Sequence, residues 1–146
     1  MDATDRKILN VLIKNGRLSY RQIAKRIGVS VATVMNRVNK LEHDGIVNGY
    51  TTTINYDKLG YELHVLIELR IAKGKLLEVE KRVATNVNVL AVYDHTGISD
   101  CTVLARFRNK RSLDVFIKEL QTFDFVEQTH TKLILNTLKE GPMLVR

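Results

Sequence analysis

Cysteine, proline and tryptophan are almost absent, with one, one and none among 146 residues. A single cysteine, Cys101, excludes an internal disulfide and a cysteine-based metal cluster, as expected for a protein of a reducing compartment. No apolar run approaches the roughly 20 residues of a membrane-spanning helix. The first residues also lack the pattern of a secretory signal. We therefore expect a cytoplasmic protein with no membrane partner.

Motifs of known enzyme classes are also missing. The chain has no phosphate-binding glycine loop, no nucleophile elbow and no paired-histidine metal motif. His95, His130 and Cys101 do not have the spacing of metal ligands. We therefore expect no catalytic residues, no metal and no cofactor, and we predict that the protein is not an enzyme.

Acidic residues are scarce in the first part of the chain. Residues 1–60 carry ten Lys/Arg against five Asp/Glu, whereas residues 61–146 carry thirteen against eleven, within a total net charge of +7. Nine basic residues and no acidic residue lie from Arg6 to Lys40. A basic module of this kind indicates a polyanionic partner such as nucleic acid.

Three stretches of this module have apolar residues at helical spacing. Ser19 and Gln22 form a capping box before the second stretch, Gly28 interrupts the chain, and Ser30 can cap the third stretch. The order of helix, helix, glycine-containing turn and helix predicts a helix-turn-helix. Residues 46–54 are expected to extend beside it as a short wing. The three apolar stripes are Ile8, Leu9, Leu12 and Ile13, then Ile23, Ala24 and Ile27, then Val34, Val38 and Leu41.

From residue 62 the apolar residues alternate with a period of two, which is typical of a strand with one buried face. The periods that follow predict the order βαββαβ, a ferredoxin-like antiparallel sheet with both helices on one face. Leu66 and Leu104 point to the other face, which a second subunit would cover. The first of these helices is expected over 75–86, with Leu76, Val79, Val83 and Val87 as its stripe, and the last strand over 126–138.

The third predicted helix carries the residues expected to read DNA. With its apolar stripe turned inward, its outer face is small and uncharged near the start, as suits a helix in the major groove. Asn36 can bond adenine through two hydrogen bonds, and small residues can meet a thymine methyl group. Arg37 and Lys40 are expected to bind phosphates. The full set of predicted DNA-binding residues is Ser19, Tyr20, Arg21, Ser30, Ala32, Thr33, Asn36, Arg37 and Lys40.

The first sixty residues combine several short motifs: Asp5 with Ile8 and Leu9, Asn15-Gly16-Arg17, Ile23-Ala24, Gly28-Val29-Ser30, Val34 with Arg37-Val38, Leu41-Glu42, Gly45-Ile46-Val47 and Gly49-Tyr50. With this combination the chain closely resembles the Lrp/AsnC, or feast/famine, transcription regulators of bacteria and archaea. Its second half resembles that family's regulatory domain through the strand order and through Thr96 and Gly97 with Asp100. The resemblance implies dimers that often join into tetramers or octamers. It also implies amino-acid effectors bound near this loop between subunits.

The loop has suitable chemistry for such an effector. Asp100 offers an anion to an ammonium group, and Thr96, Ser99 and the backbone at Gly97 offer donors to a carboxylate. The predicted effector-binding residues are Thr96, Gly97, Ile98, Ser99 and Asp100. Gly, Ser and Asp in a loop between strands also serve as ordinary turn residues, so both interpretations stay open.

We therefore predict an α+β protein. It has a winged helix-turn-helix DNA-binding domain over 1–54, a linker over 55–61, and a ferredoxin-like effector-binding and oligomerisation domain over 62–146. Its predicted function is sequence-specific transcription regulation at double-stranded promoter sites, as a homo-oligomer modulated by an amino acid. The alternative is an architectural DNA-binding protein with weak sequence preference and no effector, since phosphate contacts alone give non-specific binding.

Overall fold

The computed structural model of the protein describes residues 1–72 and 74–146. These residues form two compact units. The head unit consists of Met1–Thr53 together with Lys139–Arg146, and the sheet unit consists of Ile54–Leu138. None of the helices within these described residues combines the length and the apolar character that a membrane span requires.

The head unit contains helices α1 (Ala3–Lys14), α2 (Tyr20–Ile27) and α3 (Val31–His43). Each begins at a side chain that accepts hydrogen bonds from the first turn: Asp2, Ser19 and Ser30. Gly28 ends α2 with a φ of 74°, a left-handed conformation that glycine adopts without strain. The three helices share one apolar core, in which Ile8, Ile23, Val34 and Val38 are fully buried. The predicted helix-turn-helix is confirmed.

The segment Lys139–Arg146, called here the return segment, packs with these helices. The side-chain amide of Asn10 donates to the carbonyl oxygen of Val145 at 2.9 Å, and the amide of Val145 donates back to Oδ1 of Asn10 at 2.8 Å. The Val145 side chain packs against the head-unit core. One side chain of α1 thus pairs with backbone 135 residues away in sequence.

The sheet unit contains β1 (Leu63–Ile71), α4 (Leu76–Ala84), β2 (Val89–Asp94), β3 (Cys101–Phe107), α5 (Lys110–Gln121) and β4 (Val126–Leu133). The strands form one antiparallel sheet in the order β2-β3-β1-β4. Both helices pack on one face, where Val79 and Phe116 join a core with the buried side chains of β1 and β3. The predicted α+β fold with the order βαββαβ is confirmed.

The opposite face of the sheet is not covered by α4 or α5. Leu66 of β1 lies opposite Leu104 of β3, and both are only half-buried. A salt bridge on the same face joins Glu68 to Lys132 of β4 and, with that hydrogen bond as the main cause, lowers the pKa of Glu68. The uncovered face therefore carries the apolar pair Leu66 and Leu104 next to the salt bridge of Glu68 with Lys132.

Three details differ from the sequence-based expectations. Val87 is 96% exposed, because α4 ends at Ala84 before a further turn can carry Val87 inward. The last strand ends at Leu133 rather than near residue 138. Residues 46–54 form no strand among the described residues, since an extended segment needs a partner strand to be one.

The segment before β1 packs on the sheet unit. It forms a short 3-10 helix over Asp57–Leu59. Asp57 pairs with Arg106 of β3 at 3.0 Å, and Arg108 donates to the carbonyl oxygen of Leu59 at 3.0 Å. Arg106, near the end of β3, and Arg108, just after it, therefore hold the segment that leads into β1.

Candidate nucleic-acid interface and effector loop

Helix α3 presents a polar, exposed face opposite its buried stripe. Ala32, Asn36, Asn39 and Lys40 are all exposed. None of these four side chains is acidic, so the face can approach a polyanion. The geometry therefore brings the predicted base-reading residue Asn36 and the predicted phosphate-binding residue Lys40 to one surface.

The serine residues predicted to contact DNA are helix caps. The hydroxyl of Ser30 accepts from the amide of Thr33 at 3.0 Å and lies 2.8 Å from the Thr33 hydroxyl. The hydroxyl of Ser19 accepts from the amide of Gln22 at 3.3 Å, while the Gln22 side chain accepts from the amide of Ser19. Both hydroxyls thus fix the first turns of α2 and α3.

Tyr20 and Arg21 follow the first of these caps and lie in different surroundings. Tyr20 is half-buried and packs against the head-unit core, whereas Arg21 is exposed. Arg21 is therefore available to a phosphate, and Tyr20 mainly supports the position of α2.

Arg37 is engaged inside the head unit. Its guanidinium lies 2.7 Å from a carboxylate oxygen of Asp2 and 3.3 Å from one of Asp5. Asp5 is only 6% exposed and also accepts from the backbone amide of Asp2 at 2.8 Å. The backbone amide of Asp5 above all, then that of Thr4 and then Arg37, hold the pKa of Asp2 below its ordinary 3.8. The flank of α3 that carries Arg37 is therefore turned toward α1.

Sequence reasoning missed two exposed apolar residues of α3. Val31 is 45% exposed and Met35 is 42% exposed. They are four residues apart and hence neighbours on one side of the helix. The sequence already indicated their exposure, because neither residue belongs to the apolar stripe of Val34, Val38 and Leu41 that packs inward.

The predicted effector loop joins β2 to β3. Thr96, Gly97 and Ile98 are exposed, whereas Ser99 and Asp100 are half-buried. Asp100 is tied to β1: its carboxylate accepts from the amide of Ile71 at 2.7 Å, and its own amide donates to the carbonyl oxygen of Leu69 at 2.9 Å. These bonds lie at the register shift between Arg70 and Ile71. Asp100 therefore holds the loop against the end of β1.

Residues near the loop offer little reactive chemistry. Burial, followed by the nearby carboxylate of Glu80, raises the pKa of Cys101 to about 12, so its thiol stays protonated. His95 is bonded through Nε2 to the hydroxyl of Thr102 at 2.7 Å. Within residues 1–72 and 74–146, no group of three or more His, Cys, Asp or Glu side chains could hold a metal ion.

Positive charge is concentrated in the head unit. It carries eleven Lys/Arg against five Asp/Glu, a net charge of +6, whereas the sheet unit has a net charge of +1. Unlike the near-neutral sheet unit, the head unit has the charge expected of a surface that meets nucleic acid.

Comparisons with known proteins agree with this division. Residues 1–48 match the family model of winged helix-turn-helix DNA-binding domains. Residues 64–144 match the model of the Lrp/AsnC ligand binding domain. An uncharacterised HTH-type transcriptional regulator of Pyrococcus furiosus is 44% identical over 140 residues, which cover 96% of this chain and 95% of that protein. The HTH-type transcriptional regulator FL11 of Pyrococcus abyssi is 32% identical over 140 residues, covering 96% and 93%.

Solved structures show the same architecture. The chain superposes on AsnC of E. coli with a TM-score of 0.91 at 26% identity, covering 99% of both chains. A transcriptional regulator of Neisseria meningitidis, solved as a complex with L-Met, gives a TM-score of 0.90 at 27% identity, covering 97% of this chain and 94% of the other.

Proposed function

Because the chain belongs to the Lrp/AsnC family of transcriptional regulators, we propose that it binds specific promoter sequences as a homo-oligomer whose DNA affinity is changed by an amino acid. The relatives and both matched domains are those of regulators with a ligand-binding domain, not of enzymes. The sequence preference, the effector and the assembly are the parts proposed here.

One observation carries the DNA-binding part of the proposal: α3 exposes Ala32, Asn36 and Asn39 beside Lys40 in a unit of net charge +6. In this scheme α3 enters the major groove and Asn36 bonds an adenine edge. Lys40 binds phosphate, and so does Arg21 at the start of α2. The capped first turns at Ser19 and Ser30 offer backbone amides to phosphates.

Competition between two duplexes tests this part. The duplex of highest affinity is first selected from a random pool with the wild-type protein, and its affinity is then compared with that of random duplex. A regulator should prefer the selected duplex by about 10³-fold or more. A ratio near one would instead favour the architectural alternative.

Two substitutions refine the assignment of roles. Asn36→Ala should relax preference at one position of each half-site, at a cost of roughly 1–3 kcal/mol. Lys40→Ala should weaken binding to selected and random duplexes alike and reduce the salt dependence. Equal losses on both duplexes for Asn36→Ala would remove Asn36 from the base-reading role.

The effector part of the proposal concerns the loop from Thr96 to Asp100. Thr96, Gly97 and Ile98 are exposed to solvent in a single chain, and Ile98 is 97% exposed. Because ligand sites are usually enclosed, a second subunit is needed to cover a ligand at this loop. The relative from Neisseria meningitidis was solved with L-Met, which supports an amino acid as the class of ligand. Asp100 would attract the ammonium group and Ser99 would donate to the carboxylate.

Asp100→Asn tests this site better than Asp100→Ala does. Asparagine keeps an oxygen for the amide of Ile71 but removes the charge that an ammonium needs. Thermal unfolding of the wild-type protein with each of the twenty amino acids should show one or a few that raise the melting temperature. Asp100→Asn should abolish that increase and keep the ligand-free melting temperature nearly unchanged. An increase of equal size in the variant would place the effector elsewhere.

A further inference from the structure

Helix α3 has two unlike flanks, which determine what surface is left for DNA. Arg37 lies on one flank and is bound to Asp2 and Asp5, at either end of the first turn of α1. Thr33, one turn earlier on that flank, is half-buried and bonded to Ser30. This flank faces the rest of the head unit, so the surface that a groove can receive is shifted toward the other flank.

Val31 and Met35 occupy that other flank, next to Ala32. At about 100° per residue they lie on the side of α3 away from Thr33 and Arg37. All three side chains are exposed, and none is within the apolar cluster of the head unit. They form a short apolar strip directly beside Asn36.

The net charge of the head unit as a whole indicates what the strip binds. Lys40 on α3 and Arg21 on α2 are exposed, and the head unit carries a net charge of +6. A second copy placed against this surface would bring like charges together, whereas DNA would bring opposite charges. The apolar feature that DNA offers in its major groove is the C5-methyl group of thymine.

We propose that Met35, with Val31 and Ala32, reads thymine methyl groups beside the base that Asn36 contacts. The inference rests on the proposed DNA binding and deepens it, because it names a base and the atom of that base that is recognised. Asn36 supplies the polar part of the readout and the strip supplies the apolar part. Arg37, on the opposite flank, is then a positioning residue: its contacts with Asp2 and Asp5 orient α3 so that the strip faces the groove.

Replacing thymine by deoxyuridine tests the proposal, because it removes only the methyl group. The duplex of highest affinity is selected from a random pool, and its thymines are replaced one at a time. For the wild-type protein, at least one position in each half-site should lose affinity by about fourfold, the factor for one methyl-sized group left unburied. Met35→Ala should bind the thymine duplex about as weakly and should no longer distinguish thymine from deoxyuridine there.

Two control variants make the result specific. Met35→Leu keeps an apolar side chain and should keep the discrimination at least in part. Leu77→Ala truncates an exposed apolar residue on α4 of the sheet unit and should change nothing in the DNA assay. Circular dichroism and thermal unfolding of each variant check that the head unit stays folded.

The possible failures are distinguishable. If no duplex is enriched over random DNA, the proposed function and this inference both fail. If a duplex is enriched but Met35→Ala discriminates thymine from deoxyuridine as well as the wild type does, this inference alone is overturned. A smaller sedimentation coefficient for Met35→Ala without DNA would also overturn it, because the strip would then contact a second copy.

Discussion

Arg37 joins α3 to α1 through two carboxylates, and its charge is therefore already compensated. Arg37→Gln should lower the free energy of unfolding by roughly 0.5–1 kcal/mol, since the ion pairs are partly exposed. It should leave the salt dependence of binding to random duplex unchanged. Thermal unfolding and a salt titration measure both quantities.

Lys40→Ala is the matched control for Arg37→Gln, because Lys40 is exposed on the same helix. Its salt slope should fall by about 0.9, the contribution of one phosphate contact. A similar fall for Arg37→Gln would show that Arg37 leaves its carboxylates and binds phosphate, as the sequence alone suggested.

The charged form of Glu80, on α4, is unfavourable because part of its carboxylate is buried. Its Oε1 is buried and has no hydrogen-bond partner among the described residues. Burial first, and then the charge of Asp94, raise the pKa of Glu80 above its ordinary 4.5. The folded protein thus binds a proton at Glu80 more readily than the unfolded chain does, and wild-type stability gains as the pH falls through the raised pKa.

Glu80→Gln should therefore stabilise the protein at pH 7. The advantage should shrink on acidification, because protonated Glu80 is neutral like glutamine. Melting temperatures of both proteins from pH 7 to about pH 4 measure it. Glu78→Gln is the control: Glu78 is exposed and pairs with Lys75, so its removal brings no gain. An equal difference at every pH would contradict the titration of Glu80.

Local pairs were predictable from the sequence, but distant ones were not. Ser19 with Gln22 is recognisable because a capping box has a fixed spacing of three residues. Asp100 accepts from an amide 29 residues away, and Arg37 binds a carboxylate 32 residues away. Such partners depend on how elements pack, which no local spacing encodes.

At the scale of elements, periodicity located the five α-helices and four strands that lie within residues 1–72 and 74–146, but it placed their ends poorly. Val87 continues the apolar stripe of α4 in sequence, although the helix has already ended at Ala84. Thr51, Thr52 and Thr53 are β-branched and favour a strand. They form no strand, because no strand among the described residues pairs with them. A sequence with high strand propensity therefore forms a strand only where another segment lies beside it to pair with its backbone.

The return segment leads to a prediction about the head unit. Asn10→Ala removes both hydrogen bonds to the backbone of Val145 and leaves those backbone groups partly buried. It should lower the free energy of unfolding by about 1–2 kcal/mol, roughly 1 kcal/mol for each bond. Thermal or denaturant unfolding of the full chain measures the loss.

A truncation of the return segment shows whether the loss arises at the pairing of Asn10 with Val145. Removing residues 143–146 should cost more than Asn10→Ala does, because it also takes the Val145 side chain away from the head-unit core. In the truncated chain Asn10→Ala should be nearly neutral, because its two hydrogen-bond partners on Val145 are already gone. Lys7→Ala, on the exposed side of α1, is the control. Fully additive losses would mean that Asn10 stabilises the head unit by another route.

At the scale of the whole molecule, the uncovered sheet face should join two copies of the chain. Leu66 and Leu104 lie opposite each other there and remain half-buried in a single copy. Leu66→Asp in the full chain should dissociate the oligomer at micromolar concentration, because it would bury an unpaired charge between two sheets. Sedimentation velocity measures this change.

Leu77→Asp provides the comparison for this experiment. Leu77 is an exposed leucine of the same unit but lies on α4, away from the open face. This variant should keep the wild-type assembly. A wild-type protein that is monomeric at micromolar concentration, or a Leu66→Asp variant that assembles normally, would contradict the prediction.

The pairing of Asn10 with Val145 also sets an order of maturation on the ribosome. The residues of α1, α2 and α3 are translated first, but one of their partners follows 135 residues later. At about 5–20 residues per second, roughly 7–27 seconds pass between the synthesis of Asn10 and that of Val145. The part of the protein that is made first is therefore completed last. The whole sequence of the sheet unit, Ile54–Leu138, is thus synthesised while the three head-unit helices still lack their contact with Val145.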